Sequence, residues 1–206
     1  MPSTSAILPL KRKAKPLYES VVFTSAQCLD LLPFRPGKVD GVLWKLLEPH
    51  QDERGWLCEL FRHDELAAEL QPAMGYLSQT LPGQTRGPHE HLQQTDVFCF
   101  FGGDGHVGLT RGRSPANWHI YLWDNRPESP SYLCNEIAIL RQPMSVVIPP
   151  GIVHAYRNVG KTAGLVVNCP NRLYRGEGRK DPVDEIRHED DPHSVFRLVD
   201  CKEAPG

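Results

Sequence analysis

No stretch of the chain approaches the roughly eighteen consecutive apolar residues that a bilayer-spanning helix needs, so a membrane protein of that kind is not expected. Neither sign of charge dominates: Lys and Arg number 23 and Asp and Glu 25, for a net charge of −2. That balance argues against broad electrostatic attraction to nucleic acid. The six cysteines, at positions 28, 58, 99, 134, 169 and 201, include no Cys-x-x-Cys pair. Two of them, Cys58 and Cys99, sit in apolar strand-like runs. We read the set as reduced thiols of a cytoplasmic protein, not as a disulfide framework. The start of the chain also lacks the order of a secretory signal, because the basic cluster Lys11, Arg12, Lys13 and Lys15 follows a broken apolar run instead of preceding one. There is no internal repeat with a period of some 20–50 residues, and no clear linker. The expected organisation is an N-terminal extension over 1–40, one folded unit over 41–190, and a C-terminal tail over 191–206.

Proline and glycine are plentiful, 19 and 17 residues. They fall between short apolar runs, which is the punctuation of a β-rich fold. The spacing predicts strands over 42–47, 56–61, 74–81, 95–101, 118–123, 136–140, 145–148 and 164–168, a pattern of a sandwich or barrel. A turn is expected over 52–56. Short helices are expected over 25–33, capped by Ser25 and stopped by Pro33, and over 63–70, ended before Pro72. The acidic run 184–191 reads as solvated.

The chemistry concentrates in Gly83–Gly103, which contains His89, His91 and Asp96. Strand residues two apart share a face, so His89 and His91 project together. Asp96 opens the run Asp96, Phe98, Phe100. A third histidine, His154, lies in the segment Pro149-Pro-Gly-Ile-Val-His154. Neutral imidazoles plus a carboxylate suit Zn, Fe, Mn, Ni or Co, with open positions for Lewis-acid chemistry. The alternative is that Asp96 only hydrogen-bonds a histidine in the barrel mouth, since an unpaired charge among aromatics would be costly. The remaining histidines, His50, His63, His106, His119, His188 and His193, read as structural or surface residues.

The pattern Gly-x5-His-x-His-x4-Asp-x6-Gly, followed by Pro-x-Gly-x2-His-x3-Asn, resembles the two motifs of the cupin superfamily. The resemblance implies an all-β double-stranded β-helix, a jelly-roll barrel. A closer resemblance joins further fragments in order. Asp52-Glu-Arg54-Gly-Trp-Leu-Cys-Glu59, Arg86-Gly-Pro-His89, Asp124-Asn-Arg126-Pro-Glu-Ser129-Pro130, Pro150-Gly-Ile-Val-His154 and Lys180-Asp181-Pro182 are similar to stretches of the dTDP-4-dehydrorhamnose 3,5-epimerase family. These are cupins that act on nucleotide-linked 4-keto sugars.

The resemblance implies His89 as the base, oriented by Asp181, and Tyr174 as the acid on the opposite face. It implies Arg54 and Arg86 as partners of the substrate diphosphate, Asn168 in the substrate pocket, and a homodimer in which a neighbouring subunit completes one arginine site. No organic cofactor is implied. Three departures stand out. The family's lysine about ten residues beyond the histidine is missing from Gln93-Gln-Thr-Asp96, His91 stands in a position that is usually not histidine, and Asn168 replaces the first of two tyrosines. A metal on His89, His91, Asp96 and His154 would restore the lost positive charge, but a ligating His89 could not also be the base. Two rivals to the epimerase remain: a metal-dependent cupin oxygenase or lyase acting on another small polar substrate, and a non-catalytic sugar-binding cupin.

Overall fold

The computed structural model describes residues 19–22, 35–102, 118–140 and 142–198. The helix expected over 25–33, the basic cluster at 11–15, His106, Gly103, Cys28 and Cys201 lie outside those residues. Among the described residues fourteen strands are present. They are β1 (Glu19–Val22), β2 (Arg35–Pro36), β3 (Leu43–Leu46), β4 (Pro49–Asp52), β5 (Gly55–Cys58), β6 (Tyr76–Thr80) and β7 (Thr85–Glu90). The second half supplies β8 (Asp96–Phe101), β9 (Trp118–Asp124), β10 (Asn135–Leu140), β11 (Met144–Ile148), β12 (Ile152–Asn158), β13 (Gly164–Asn168) and β14 (Ile186–Arg187).

These strands build two six-stranded sheets, ordered β1-β10-β9-β12-β7-β14 and β2-β3-β11-β8-β13-β6, and a small β4–β5 hairpin. Among the described residues all pairings are antiparallel except that of β1 with β10. The expected all-β jelly roll is the observed fold. The period of two explains why the sheets close on each other. Phe98 and Phe100 of β8, Val146 and Ile148 of β11, and Trp44 of β3 meet Trp118, Ile120 and Leu122 of β9 and Ile152 and Tyr156 of β12 in one buried cluster.

The outer faces are covered as well, which is why β8 is buried at all six positions. Cys99 and Phe101 pack under Leu47, Cys58 and Leu60. Val97 and Val147 pack under Phe61, Leu66 and Leu70. On the other sheet, Tyr121, Trp123, Ile137, Val153 and Ala155 are covered by Phe196 and Leu198, which lie within the segment expected as a tail. Cys58, Cys99, Cys134 and Cys169 are free thiols. Among the described residues no helix is long and apolar enough to cross a membrane.

Two expectations are corrected. Residues 63–70 do not form one helix but two short 3-10 turns, His63–Glu65 and Ala68–Leu70. Leu66 between them is extended, with φ −111° and ψ 135°, and so turns its side chain into the cluster with Val97 and Cys169. Tertiary burial overrides the helical pattern there. The acidic run 184–191 is not simply solvated, because Ile186–Arg187 pairs with β7 and brings the run against the site.

Candidate active site

The strands deliver their polar side chains to one end of the barrel. His89 comes from β7, Asp96 from the start of β8 and His154 from β12, while His91 follows β7 by one residue. His154 and His89 are directly paired across β12 and β7, and the register shifts between His154 and Tyr156. Bulges of this kind re-aim side chains beside functional sites. The close approach requires Gly87, at φ +80°, since a Cβ there would fall 2.5 Å from the His154 carbonyl oxygen. The His89 and His154 rings are 4.5 Å apart, centre to centre. One nitrogen from each of His89, His91 and His154 lies within 4.8 Å of the others, a spacing that suits a single ion.

Backbone carbonyls set the orientation of two of these rings. His154 Nδ1 lies 3.0 Å from the Ile152 carbonyl oxygen, and His91 Nδ1 contacts the Asp184 carbonyl oxygen. A carbonyl only accepts, so each ring carries a proton on Nδ1 and directs Nε2 elsewhere. Both Nε2 atoms face Asp96 Oδ2, at 3.2 Å from His91 and 3.5 Å from His154. The other carboxylate oxygen, Oδ1, accepts from Gln94 Nε2 and Asn168 Nδ2, each at 2.8 Å. Asp96 Oδ2, His154 Nε2 and His89 Nδ1 are buried without a conventional hydrogen bond. Orphaned polar atoms that converge in this way mark a site and not a packed core.

The electrostatics divide the histidines. Burial, with the neighbouring His154 and His91 rings, pushes His89 down to about 2, so it is a neutral imidazole. Burial likewise lowers His154. Burial opposes a charge on His91 too, but Asp96 outweighs it and raises His91 to about 9. Asp96 is itself held below the usual carboxylate range, where burial is outweighed by His91 and the Asn168 amide.

A cleft of about 1520 Å³ opens over this floor, larger than the roughly 300–1,000 Å³ of ordinary small-ligand pockets. Its walls include Tyr76, Arg86, Arg172, Tyr174, Asp181 and Glu185. Arg86 is held by Thr80 Oγ1 at 3.2 Å and by the Gln79 carbonyl at 3.0 Å. Tyr174 is more than half exposed, and its backbone N–H donates to Met74 Sδ. Arg54 stands apart, at the turn of the β4–β5 hairpin, its side chain 82% exposed and paired with Asp52. Asp181 serves its own loop. Its N–H donates to the Arg175 carbonyl at 2.8 Å, and its carboxylate packs so closely on Gly176 that a Cβ there would fall 1.8 Å from Oδ2. The carboxylate facing His89 is Glu185, at 3.8 Å from Nδ1. The Asp124–Arg126–Ser129 motif is architectural: Asp124 accepts from Arg126 and from the hydroxyls of Ser129 and Ser131, while Arg126 donates to the Asp40 carbonyl.

No family model matches the chain. Over 141 residues it is 31% identical to the probable low-salt glycan biosynthesis epimerase Agl13 of Haloferax volcanii, covering 68% of this chain and 81% of that protein. Over 151 residues it is 32% identical to the spore coat polysaccharide biosynthesis protein SpsL of Bacillus subtilis, covering 72% and 88%. The chain belongs to the dTDP-4-dehydrorhamnose 3,5-epimerase-like family of cupins. Solved structures share the fold of this epimerase-like cupin at lower identity. A dTDP sugar isomerase from Desulfovibrio desulfuricans G20 aligns with TM-score 0.60 and 23% identity, over 77% of this chain and 91% of that one. NovW, a 4-keto-6-deoxy sugar epimerase from Streptomyces spheroides, aligns with TM-score 0.58 and 22% identity, over 75% and 72%.

Sequence reasoning about this family member missed three contributors. Asp184 accepts from the backbone N–H groups of Leu92, Gln93 and Gln94 at 2.8–2.9 Å, and so fixes the turn between His91 and Asp96. Glu185 faces His89, and Tyr76 bonds Asn168. Asp184 and Glu185 were hidden in an acidic run whose composition signals solvent. Tyr76 was hidden in an edge strand with no motif.

Proposed function

We propose that the protein is an isomerase that epimerises a nucleotide-linked 4-keto sugar, by taking a proton from a carbon next to the ketone. The observation that carries this reading is His89: a neutral imidazole at the cleft floor, with Nδ1 free of hydrogen bonds and Glu185 at 3.8 Å. A neutral ring can accept a proton, and Glu185 stands where it would steady the resulting imidazolium. Burial disfavours that charge, so the substrate's developing enolate is the natural counter-charge. Arg86, already oriented by Thr80 and Gln79, suits the diphosphate, because a guanidinium binds phosphate oxygens in a fork. Arg54 is exposed on its hairpin, and in a homodimer it would add a second guanidinium from a partner subunit.

The donor set also fits a divalent ion. His91 and His154 have carbonyl-anchored Nδ1 atoms, the usual outer support of a metal-ligating histidine, and both direct Nε2 toward the orphaned Asp96 Oδ2. His91, His154 and Asp96 would then hold the ion without His89, whose base role survives. Such an ion would supply Lewis-acid polarisation of a keto oxygen, the charge that the family's lysine supplies elsewhere. Two imidazoles and one carboxylate also favour a second reading, a metal-dependent oxygenase or lyase.

The test is incubation with dTDP- and UDP-linked 4-keto-6-deoxy sugars in D2O, followed by proton NMR. Deuterium should enter a carbon flanking the ketone. Oxygen consumption without any such exchange would overturn the epimerase in favour of the oxygenase.

A further inference from the structure

An epimerase needs a proton donor on the face opposite its base. The family supplies tyrosines at two positions, and this chain has Asn168 at the first. We propose that Tyr76 has taken over as the catalytic acid, delivering its phenolic proton to the face of the sugar opposite His89. This rests on the epimerase reading above.

Four observations carry it. First, Tyr76 of β6 lies directly across from Asn168 of β13 in the strand register, so a phenol is returned to the substituted position from the neighbouring strand. Second, Asn168 Nδ2 donates to the Tyr76 hydroxyl at 2.9 Å. The amide nitrogen can only donate there, so the phenolic oxygen is the acceptor and its own hydrogen remains to be given elsewhere. Among the described residues no acceptor takes it, and Tyr76 lines the cleft. Third, the clamp is anchored. The same Nδ2 donates to Asp96 Oδ1, and Asn168 is buried, so the phenol is indexed to the floor of the site. Fourth, β6 and β7 belong to different sheets. Tyr76 and His89 are therefore carried to the cleft, which both line, by different sheets.

The other cleft tyrosines fit less well. Tyr156 is on β12, in the same sheet as His89, and is packed into the core. Tyr174 stands on a loop and differs little from Tyr76 in exposure, 55% against 47%; what separates them is the Asn168 amide that holds the Tyr76 hydroxyl.

The step balances without a redox partner. His89 removes the proton of the carbon next to the ketone, and the C–H electron pair becomes the enolate, with its charge on the keto oxygen. The phenolic O–H bond then breaks, its proton goes to the opposite face of that carbon, and the ketone re-forms. Water in the open cleft returns a proton to the phenolate and takes the one on His89.

Tyr76→Phe removes one hydroxyl and separates two readouts on the same molecules, deuterium entry from D2O and inversion at the carbon. Because both are measured together, any partial loss of folded protein cancels from their ratio. With a dTDP-linked 4-keto-6-deoxy sugar, we expect Y76F to continue exchanging with retention while inversion falls by about 10²-fold or more, the scale of a lost general acid. Tyr174→Phe should leave the ratio near wild type. Asn168→Ala, which keeps the phenol and loses its clamp, should lower the ratio in the same direction by a smaller factor. Inversion by Y76F at the wild-type ratio, or its loss in Y174F instead, would overturn the assignment to Tyr76 alone. A wild-type enzyme that exchanges no hydrogen with any 4-keto nucleotide sugar overturns the epimerase reading itself, and this inference with it.

Discussion

The floor and the wall of the cleft are built on different terms. The floor consists of His89, His91, Asp96 and His154, mounted on or beside β7, β8 and β12. Its side chains are fixed by strand pairing, by backbone carbonyls on two imidazoles and by two amides on one carboxylate oxygen. The wall, residues 170–189, has little regular structure. Arg175 and Arg179 both adopt φ of 60°, a conformation uncommon outside glycine. One carboxylate, Asp184, ties this wall to the floor through three backbone N–H groups. The contrast teaches that position is set by the sheets, whereas access and shape are set by a loop that reaches the chemistry at two points, the Asp184 carbonyl on His91 and Glu185 beside His89.

Three measurements probe that contrast. The largest effect belongs to the floor. Asp96→Ala strips a buried carboxylate from His91, Gln94 and Asn168, and removing one partner of a buried ionic cluster costs about 3–5 kcal/mol. Urea titration should show that loss, and a loss below about 1 kcal/mol would mean the floor is not held as described.

The second concerns pH, in chelator-treated protein. His91 is raised from its ordinary 6.5 to about 9 in the folded state, chiefly by Asp96 against the opposing effect of burial. A raised pKa means the folded form binds the proton more tightly than the unfolded one. Its stabilisation is therefore complete below pH 6.5 and lost as pH rises through about 9. Wild type should lose on the order of 2 kcal/mol across that window relative to His91→Gln; parallel curves for the two proteins would show that His91 is not protonated.

The smallest effect belongs to the wall. Asp184→Ala removes a cap from exposed or half-buried amides and should cost about 1 kcal/mol globally. Hydrogen exchange should nevertheless accelerate at residues 92–94 and leave β8 protected. Faster exchange throughout β8 would mean that wall and floor are one cooperative unit.

The floor was legible because strands carry a period. The spacing of His89 and His91 put them on one face, the two cupin-like motifs added Asp96 and His154, and Gly164–Asn168 is the strand expected from its apolar run. What spacing could not supply was which nitrogen each ring presents, since that depends on the carbonyls of Ile152 and Asp184. The wall was not legible because a loop has no period. Asp184 acts through backbone amides 90 to 92 positions away in the chain, and nothing in an acidic run announces that distance. The same limit hid Glu185 behind Asp181. The Asp-Pro pair looked like the partner of the base, yet the chain turns so that the carboxylate four residues later faces His89. The helical pattern at 63–70 misled for a different reason, the burial of Leu66.

The proposed division of labour, with His89 as base and His91, His154 and Asp96 as metal ligands, is decided by His89→Asn when deuterium exchange and metal content are measured on one preparation. The result expected is exchange into a 4-keto nucleotide sugar reduced by about 10²–10⁴-fold, as for a lost general base, with metal content equal to that of wild type reconstituted in parallel. Exchange at the wild-type rate, or metal lost together with activity, would contradict it and make His89 a ligand instead of the base.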